Sequence, residues 1–341
     1  MVAISAVRAS NSAVRSTIGS SPTAVFAGST EGIGYATMRA FVANTESPNI
    51  YFVGRSQQKG ESVIQELKQV NDKAQYEFIA GEFTLLSDVD RMATIIIDKT
   101  SSTGIDYVCV SPGFLSLGRQ ETKEGLDRLM TIRYYSRLLF IHTLLSSLPP
   151  PKRPKHVLSV LAGTTEAPVL ETDLSLSSPA NYGKFLPCAA HTATFTSLAF
   201  EHLAKQYPDT AFVHSYPGLV KTGGVTGWIG NAWVRWLVEW TLLPLTTPFA
   251  VPVTEVGERG LFYLTSERFA SREGKEGRGR GGNVRLVQGV EEAKGEGAYS
   301  VARYGDEGEG ECMKGYRERG FGETVWKHSL WVFERALRKS V

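Results

Sequence analysis

A chain of 341 residues with 42% hydrophobic content and a net charge of +2 is long enough to bury one large α/β core and does not demand two domains. So small a charge argues against nucleic acid as the main partner. The three cysteines, Cys109, Cys188 and Cys312, are far apart and give neither a disulfide framework nor a zinc pattern, which fits a reducing, cytoplasmic setting.

In chain order, residues 1–22 carry Arg8 and Arg15 amid Ser and Ala with no acidic residue. That composition is shared by transit peptides, but a short amphipathic leader helix before the first strand is the preferred reading. Thr23-Ala24-Val25-Phe26 favours a β-strand, and the cluster Ala27-Gly28-Ser29-Thr30-Glu31-Gly32-Ile33-Gly34 follows it into a helical stretch, Tyr35 to Val42. A strand, a glycine turn and a helix N-terminus together form a seat for a nucleotide's pyrophosphate. Glycine permits the tight bend, and the helix end offers unpaired N–H groups to negative charge.

Strand-like and helical runs then alternate. Asn49 to Val53 is a strand, Ser62 to Val70 a helix, and Tyr76 to Ile79 a strand. A helix starts near Ser87, N-cap-like with Asp90 three residues on, and Ile105 to Val110 is the next strand. A long helix spans Lys123 to Leu148, His156 to Leu161 a strand, Cys188 to Lys205 a helix, and Ala211 to His214 the last strand. Strands separated by helices of this length imply βαβ units. The expected fold is a Rossmann-like doubly wound parallel sheet with helices on both faces, a single domain over residues 23–270.

Beyond Gly218 the alternation stops. Residues 223–254 form an apolar segment on the substrate side, with Trp228, Trp233, Trp236 and Trp240 in its first part. It reads as an amphipathic helix packed on the sheet domain, with a lid over a hydrophobic substrate as the functional alternative and peripheral membrane contact third. The segment nearest to a membrane span, Trp240 to Thr254, is uncharged but broken by Pro244, Pro248 and Pro252 and falls short of the roughly 20 apolar residues a membrane helix needs. Residues 271–320 read as a flexible insertion rich in Gly and charge. Its Arg278-Gly279-Arg280-Gly281-Gly282 superficially suits RNA, but interspersed glutamates dilute it. In residues 321–341, Trp326, Leu330, Phe333 and Leu337 have helical spacing and are expected to dock on the core.

With the glycine turn, the alternation and the segment Tyr216-Pro217-Gly218-Leu219-Val220-Lys221-Thr222 in hand, the chain resembles the short-chain dehydrogenase/reductase family from about Thr23 to Thr222. The family's T-G-x-x-x-G-I-G reads here as Ala27 followed by Gly28, Gly32, Ile33 and Gly34, and its P-G-x-V-x-T is intact at Pro217, Gly218, Val220 and Thr222. The resemblance implies cofactor contacts from Gly28, Ser29, Thr30, Gly32, Ile33, Gly34, Val220 and Thr222. It also places Glu82 near the adenine, and Ser111-Pro112-Gly113 where relatives carry Asn-Ala-Gly, with Gly113 retained and one structural amide lost. The layout looks like a divergent fungal branch associated with secondary-metabolite biosynthesis, and the family's habit of pairing through two long helices makes a homo-oligomer plausible by resemblance.

Cofactor choice has a physical basis. An acidic side chain after the second strand holds the ribose diol of NAD, whereas a basic one pairs with the 2′-phosphate of NADP. Here that strand ends Val53-Gly54-Arg55-Ser56. Arg55 offers bidentate contacts and Ser56 a hydroxyl, so NADP(H) is the expected cofactor.

The catalytic pattern departs from the family. There, a tyrosine hydroxyl moves the proton, a Lys four residues later lowers its pKa, a Ser binds the substrate oxygen and an Asn supports a proton path. Ala162 stands in place of the Ser, with Thr164 and Thr165 nearby, and Arg133 in place of the Asn, expected to pair with an acidic residue. Leu186 stands four residues after Tyr182. Tyr182 is the candidate proton donor and Lys184 its candidate helper, provided residues 181–187 form a loop, as Gly183 and Pro187 suggest. The six histidines show no ligand spacing, so no metal site is expected. The reading is an NADPH-dependent oxidoreductase acting on a small hydrophobic carbonyl or alcohol, with no nucleic acid and no integral membrane association. The alternatives are a non-catalytic nucleotide-binding member of the same fold and a cofactor-independent isomerase or cyclase.

Overall fold

Seven strands pair in the order β3-β2-β1-β4-β5-β6-β7, all parallel. They are β1 Thr23–Ala27, β2 Asn49–Gly54, β3 Gln75–Ala80, β4 Tyr107–Val110, β5 His156–Val160, β6 Ala211–Ser215 and β7 Ala298–Val301. The computed structural model describes residues 1–114, 120–150, 155–181, 183–220, 250–275 and 295–338, with Gly118, Lys152 and Gly289. The helices are α1 Ile4–Thr17, α2 Gly32–Ala43, α3 Gln57–Val70, α4 Leu86–Thr100, α5 Arg128–Met130, α6 Ser136–Ser147, α7 Phe185–Gln206, α8 Val253–Thr265, α9 Cys312–Glu318 and α10 Phe321–Arg338. A π-turn, Thr131–Tyr135, joins α5 to α6.

Strand periodicity divides the core. Val25 and Ala27 of β1, with Val108 and Val110 of β4, face a core completed by α4, α6, α7 and α10. Ala24, Phe26, Tyr107 and Cys109 face the other side, under α2, α3 and α8. Successive Cβ atoms of a strand point to opposite faces, so fully buried runs such as Thr-Ala-Val-Phe-Ala serve both layers at once. The doubly wound sheet expected from the sequence is therefore present. Its order reverses between β1 and β4, and the crevice beyond their carboxyl ends is where this architecture binds ligands.

Several sequence expectations are corrected in detail. The stretch 271–320 contains β7 and α9, so the sheet continues past residue 270. A strand of four residues, Ala298-Tyr299-Ser300-Val301, is too short to show periodicity and is specified by its pairing with β6. α4 is not capped by Ser87. Its N-cap is Leu85, and the carboxylate of Glu124, far along the chain, accepts from the amides of Leu86 at 2.7 Å and Ser87 at 2.9 Å. Such a cap satisfies the orphan donors of the first turn with an anion, a contact no local pattern encodes. On α10 the buried stripe is Val325, Trp326, Ser329, Val332, Phe333 and Ala336, while Leu330 is exposed. The Trp-rich run and Arg278–Gly282 lie outside the described residues. Among the described residues no helix is long and apolar enough to cross a membrane.

Candidate active site

The glycine turn follows β1 as a sharp bend. Gly28 (φ +72°) and Gly32 (φ +64°) adopt left-handed backbone that side chains disfavour. The Gly28 amide donates to the Val53 carbonyl of β2 at 3.3 Å. At Gly34 a Cβ would lie 2.2 Å from Ser111 Oγ and 2.6 Å from the Gly28 carbonyl oxygen. Glycine is required there by close packing of α2 against β1 and the loop after β4. Ser111 replaces the lost family amide: its hydroxyl lies 3.2 Å from both the Ala27 and Gly28 carbonyls, and its own amide donates to Ala27 at 3.0 Å.

Glu31 is the N-cap of α2 but makes no side-chain cap; it pairs with Lys59 of α3 instead. The amides of Gly32, Ile33 and Gly34 therefore open the helix with no intrahelical acceptor. Ser29 is buried within the turn and Thr30 half-buried. Ile33 packs against the small cluster of Val220, Val251 and Val256, in which Val220 bridges to Val251, so the two apolar residues on the expected cofactor path share one apolar patch. Thr222 lies outside the described residues.

The other expected cofactor residues are placed unevenly. Arg55 is exposed at the end of β2 with no ion-pair partner among the described residues. Ser56 caps α3, its hydroxyl oxygen accepting from the Lys59 amide at 3.3 Å. Glu82 turns back on its own loop, accepting from the Thr84 amide at 3.0 Å and hydroxyl at 2.9 Å. Gly113 is exposed, and a Cβ there would meet only Arg137, at 3.6 Å, so the backbone does not demand glycine at that position.

On the chemistry side, Tyr182 lies outside the described residues. Lys184 is exposed immediately before α7, which begins at Phe185 rather than Cys188. The loop expected over residues 181–187 therefore ends at Lys184. Pro187 falls in the first helical turn, where a missing N–H costs nothing. Leu186, in the position of the family's lysine, is 78% exposed. The flanking tyrosines are structural: the Tyr134 hydroxyl meets Ser329 at 2.7 Å and that of Tyr135 meets His328 at 2.9 Å. Burial raises both their pKa values.

Arg133 does not pair with a carboxylate as expected. It sits on the π-turn, its Nε donates to Thr192 Oγ1 at 3.3 Å, and Phe185 covers its guanidinium at 5.7 Å. Arg137, one turn on and 3% exposed, ties the carboxyl ends of β4 and β5. It donates to the carbonyls of Val110 at 3.2 Å and Val160 at 2.9 Å, to Ser159 Oγ at 3.1 Å, and to the Pro112 carbonyl. Burial pushes the thiols of Cys109 and Cys188 up to about 12, which removes both as nucleophiles.

Behind Ala162 lies a buried polar network that the sequence did not reveal. The Ala162 amide donates to His214 Nε2 at 3.1 Å, which places the ring proton on Nδ1, 2.9 Å from Ser197 Oγ. Ser197 and Ser300 donate to Glu166 Oε1 at 2.6 and 2.8 Å, and the Gly310 amide donates to its Oε2 at 3.1 Å. Ser300 Oγ also accepts from the Thr164 amide at 2.7 Å, and Thr164 holds φ +66°. Burial, then the charges of Arg137 and Arg133, push the His214 pKa down to about 3. A neutral His214 makes no ion pair with Glu166, although the two lie 3.9 Å apart. The network fixes the 162–164 loop from both β6 and β7. Its members come from distant segments and carry no shared spacing.

No family model matches the chain. Over 99% of its length it is 34% identical to the whole of the oxidoreductase AN1596 of Emericella nidulans. It is 28% identical, over 94% of each chain, to the short-chain dehydrogenase/reductase SAT2 of Stachybotrys chartarum. A dehydrogenase/reductase from Sinorhizobium meliloti superposes with a TM-score of 0.51 at 12% identity, covering 78% of this chain and 95% of that one, which shows the shared fold. Full-length similarity to these fungal proteins, on a sheet whose order reverses beside the glycine turn, means that the chain belongs to the short-chain dehydrogenase/reductase family as a fungal oxidoreductase with a nucleotide-binding fold.

Proposed function

We propose that the protein is an NADPH-dependent reductase of a hydrophobic carbonyl compound, or the reverse alcohol dehydrogenase, working in the cytoplasm in secondary-metabolite biosynthesis. The observation that carries this reading is the uncapped start of α2. The amides of Gly32, Ile33 and Gly34 have no acceptor among the described residues to compete for them, and Ile33 packs against the Val220–Val251–Val256 cluster. Residues of this kind fit a pyridine dinucleotide, with the α2 amides and Ser29–Thr30 on the pyrophosphate, Ile33 and Val220 against its apolar face, and Glu82, Gly113 and Thr222 completing the rim. Arg55, exposed and unpaired among the described residues, supplies a planar cation for a 2′-phosphate, and Ser56 a hydroxyl. When bound, the cofactor supplies hydride.

The chain's own part is to orient the carbonyl and deliver a proton. Tyr182 is assigned that proton. Lys184, exposed at the end of the same loop, is assigned the positive field that brings a phenol with an ordinary pKa of about 10 toward working pH. Ala162 provides no hydroxyl for the substrate oxygen, which favours, as a second reading, a nucleotide-binding member without hydride transfer.

Titration with NADPH and NADH, followed by intrinsic Trp fluorescence, tests the cofactor assignment. Saturable quenching with tighter NADPH binding is expected, and silence with both nucleotides removes the reading. Tyr182→Phe is expected to abolish turnover while NADPH binding persists. Undiminished turnover takes Tyr182 out of the chemistry, and binding without turnover on any carbonyl in the unmodified protein selects the second reading.

A further inference from the structure

We infer that Arg133 is an anion-binding residue of the substrate site and that the substrate carries a carboxylate. The inference rests on the reductase reading for its placement, since Arg133 projects from the π-turn that follows the β4 loop, on the side of the sheet where the chemistry is assigned. π-Helical turns inserted in an α-helix are frequent at functional sites.

Among the described residues no carboxylate answers the Arg133 charge. Its only hydrogen bond among the described residues uses Nε, on Thr192. The planar pair of terminal nitrogens, the edge that grips a carboxylate bidentately, donates to no described residue. Arg137, one turn away, adds a second guanidinium, this one buried, and its acceptors are four carbonyls and a hydroxyl, none of them charged. Glu166, the buried acid behind this region, is occupied by Ser197, Ser300 and Gly310. Arg133 is half-buried and Arg137 buried; withdrawing cations from water without a charged partner is costly, and a ligand carboxylate would offset that cost. Phe185 lies over the Arg133 guanidinium at 5.7 Å, so the anion seat has an apolar neighbour, which suits an acid borne on a hydrophobic skeleton.

The probe is benzoate, with benzamide as its uncharged counterpart, each titrated by calorimetry into the whole protein in the presence and absence of NADPH. Benzoate is expected to bind the unmodified protein more weakly as sodium chloride rises, and benzamide not to bind. Arg133→Gln is expected to weaken benzoate binding by on the order of 10- to 100-fold, with NADPH affinity unchanged. Arg133→Lys is expected to retain part of the affinity. Without ligand, Arg133→Met is expected to melt at a higher temperature than the parent, because a half-buried charge with no carboxylate partner among the described residues has been removed. Benzoate should raise the melting temperature of the parent and not of this variant. Equal binding of benzamide, no benzoate binding by the parent, or full benzoate affinity in Arg133→Gln each overturns the proposal. Loss of NADPH binding by the parent is read separately and bears on the cofactor assignment instead.

Discussion

The two halves of the sheet treat the family pattern differently. From β1 to β3 the strand, glycine turn and helix expected from the sequence are all present, and Ser111 of the loop after β4 bonds the Ala27 and Gly28 carbonyls of that turn. From β4 to β7 the strands hold their register, but at the positions where the resemblance leads one to expect a Ser, an Asn and a Lys the sequence has Ala162, Arg133 and Leu186. The residues behind them form a tightly bonded network instead. Binding a common cofactor constrains backbone, which tolerates few solutions, whereas the reaction constrains a few side chains that change with the substrate.

The largest expected effect breaks the first half. Gly34→Ala drives a Cβ to 2.2 Å from Ser111 Oγ and 2.6 Å from the Gly28 carbonyl. Because one of these atoms is backbone, the turn itself must shift. NADPH affinity, measured by fluorescence titration, is expected to fall by on the order of 100-fold or more, with a loss of about 1–3 kcal/mol in stability. Gly113→Ala, where the nearest atom is 3.6 Å away, should bind almost normally. Equal effects of the two substitutions would mean that the glycines act only through flexibility.

Arg55→Asp sharpens the same half by exchanging cofactor preference. Removing the cation and adding a carboxylate is expected to weaken NADPH by on the order of 10- to 100-fold while NADH is held or improved. Parallel losses for both dinucleotides would take Arg55 away from the 2′-phosphate.

The second half is probed by acid. His214 titrates at about 3 in the fold against about 6.5 in the unfolded chain. Above pH 6.5 it is neutral in both states. Between 6.5 and about 3 the unfolded chain takes up a proton that the folded one refuses, so stability falls as pH falls, by up to about 1.4 kcal/mol per pH unit. His328, lowered by burial to about 4, contributes in the same direction. The diagnostic is therefore the difference between the parent and His214→Gln in urea midpoint from pH 6.5 to 4.5. The variant is expected to lose less stability on acidification, and identical slopes would mean that water reaches His214.

These halves were also unequally legible in the sequence. Thr23 to Gly34 encodes its turn locally, through β-formers followed by glycines, two of which take left-handed backbone angles that other residues adopt with difficulty, so the element could be read. β7 escaped because four residues paired to β6 owe their conformation to tertiary contact. The same holds for the α4 cap supplied by Glu124 and for the Glu166–Ser197–His214–Ser300 cluster, whose members are separated by up to 134 positions. The carboxylate expected for Arg133 was a reasonable inference from charge balance within the chain. It fails because the described contacts of the guanidinium are a threonine hydroxyl and an aromatic ring, which charge balance does not foretell.

The smallest expected effect joins the halves, at Ser111. Its hydroxyl, donated by the loop after β4, lies 3.2 Å from two carbonyls of the glycine turn. Ser111→Ala leaves the backbone bond from its amide to Ala27 in place but removes the side-chain hydroxyl that donates to the Gly28 carbonyl. One neutral hydrogen bond of this kind contributes about 1 kcal/mol. Denaturant unfolding should shift by that amount, and NADPH affinity by less than about tenfold. Combined with Gly34→Ala, the substitution clears the 2.2 Å clash but not the 2.6 Å approach to the Gly28 carbonyl, so binding should recover only in part. Full recovery would assign the packing constraint to the serine alone, while no recovery would assign it to the backbone. The two outcomes separate a loop that merely touches the nucleotide turn from one that holds it in shape.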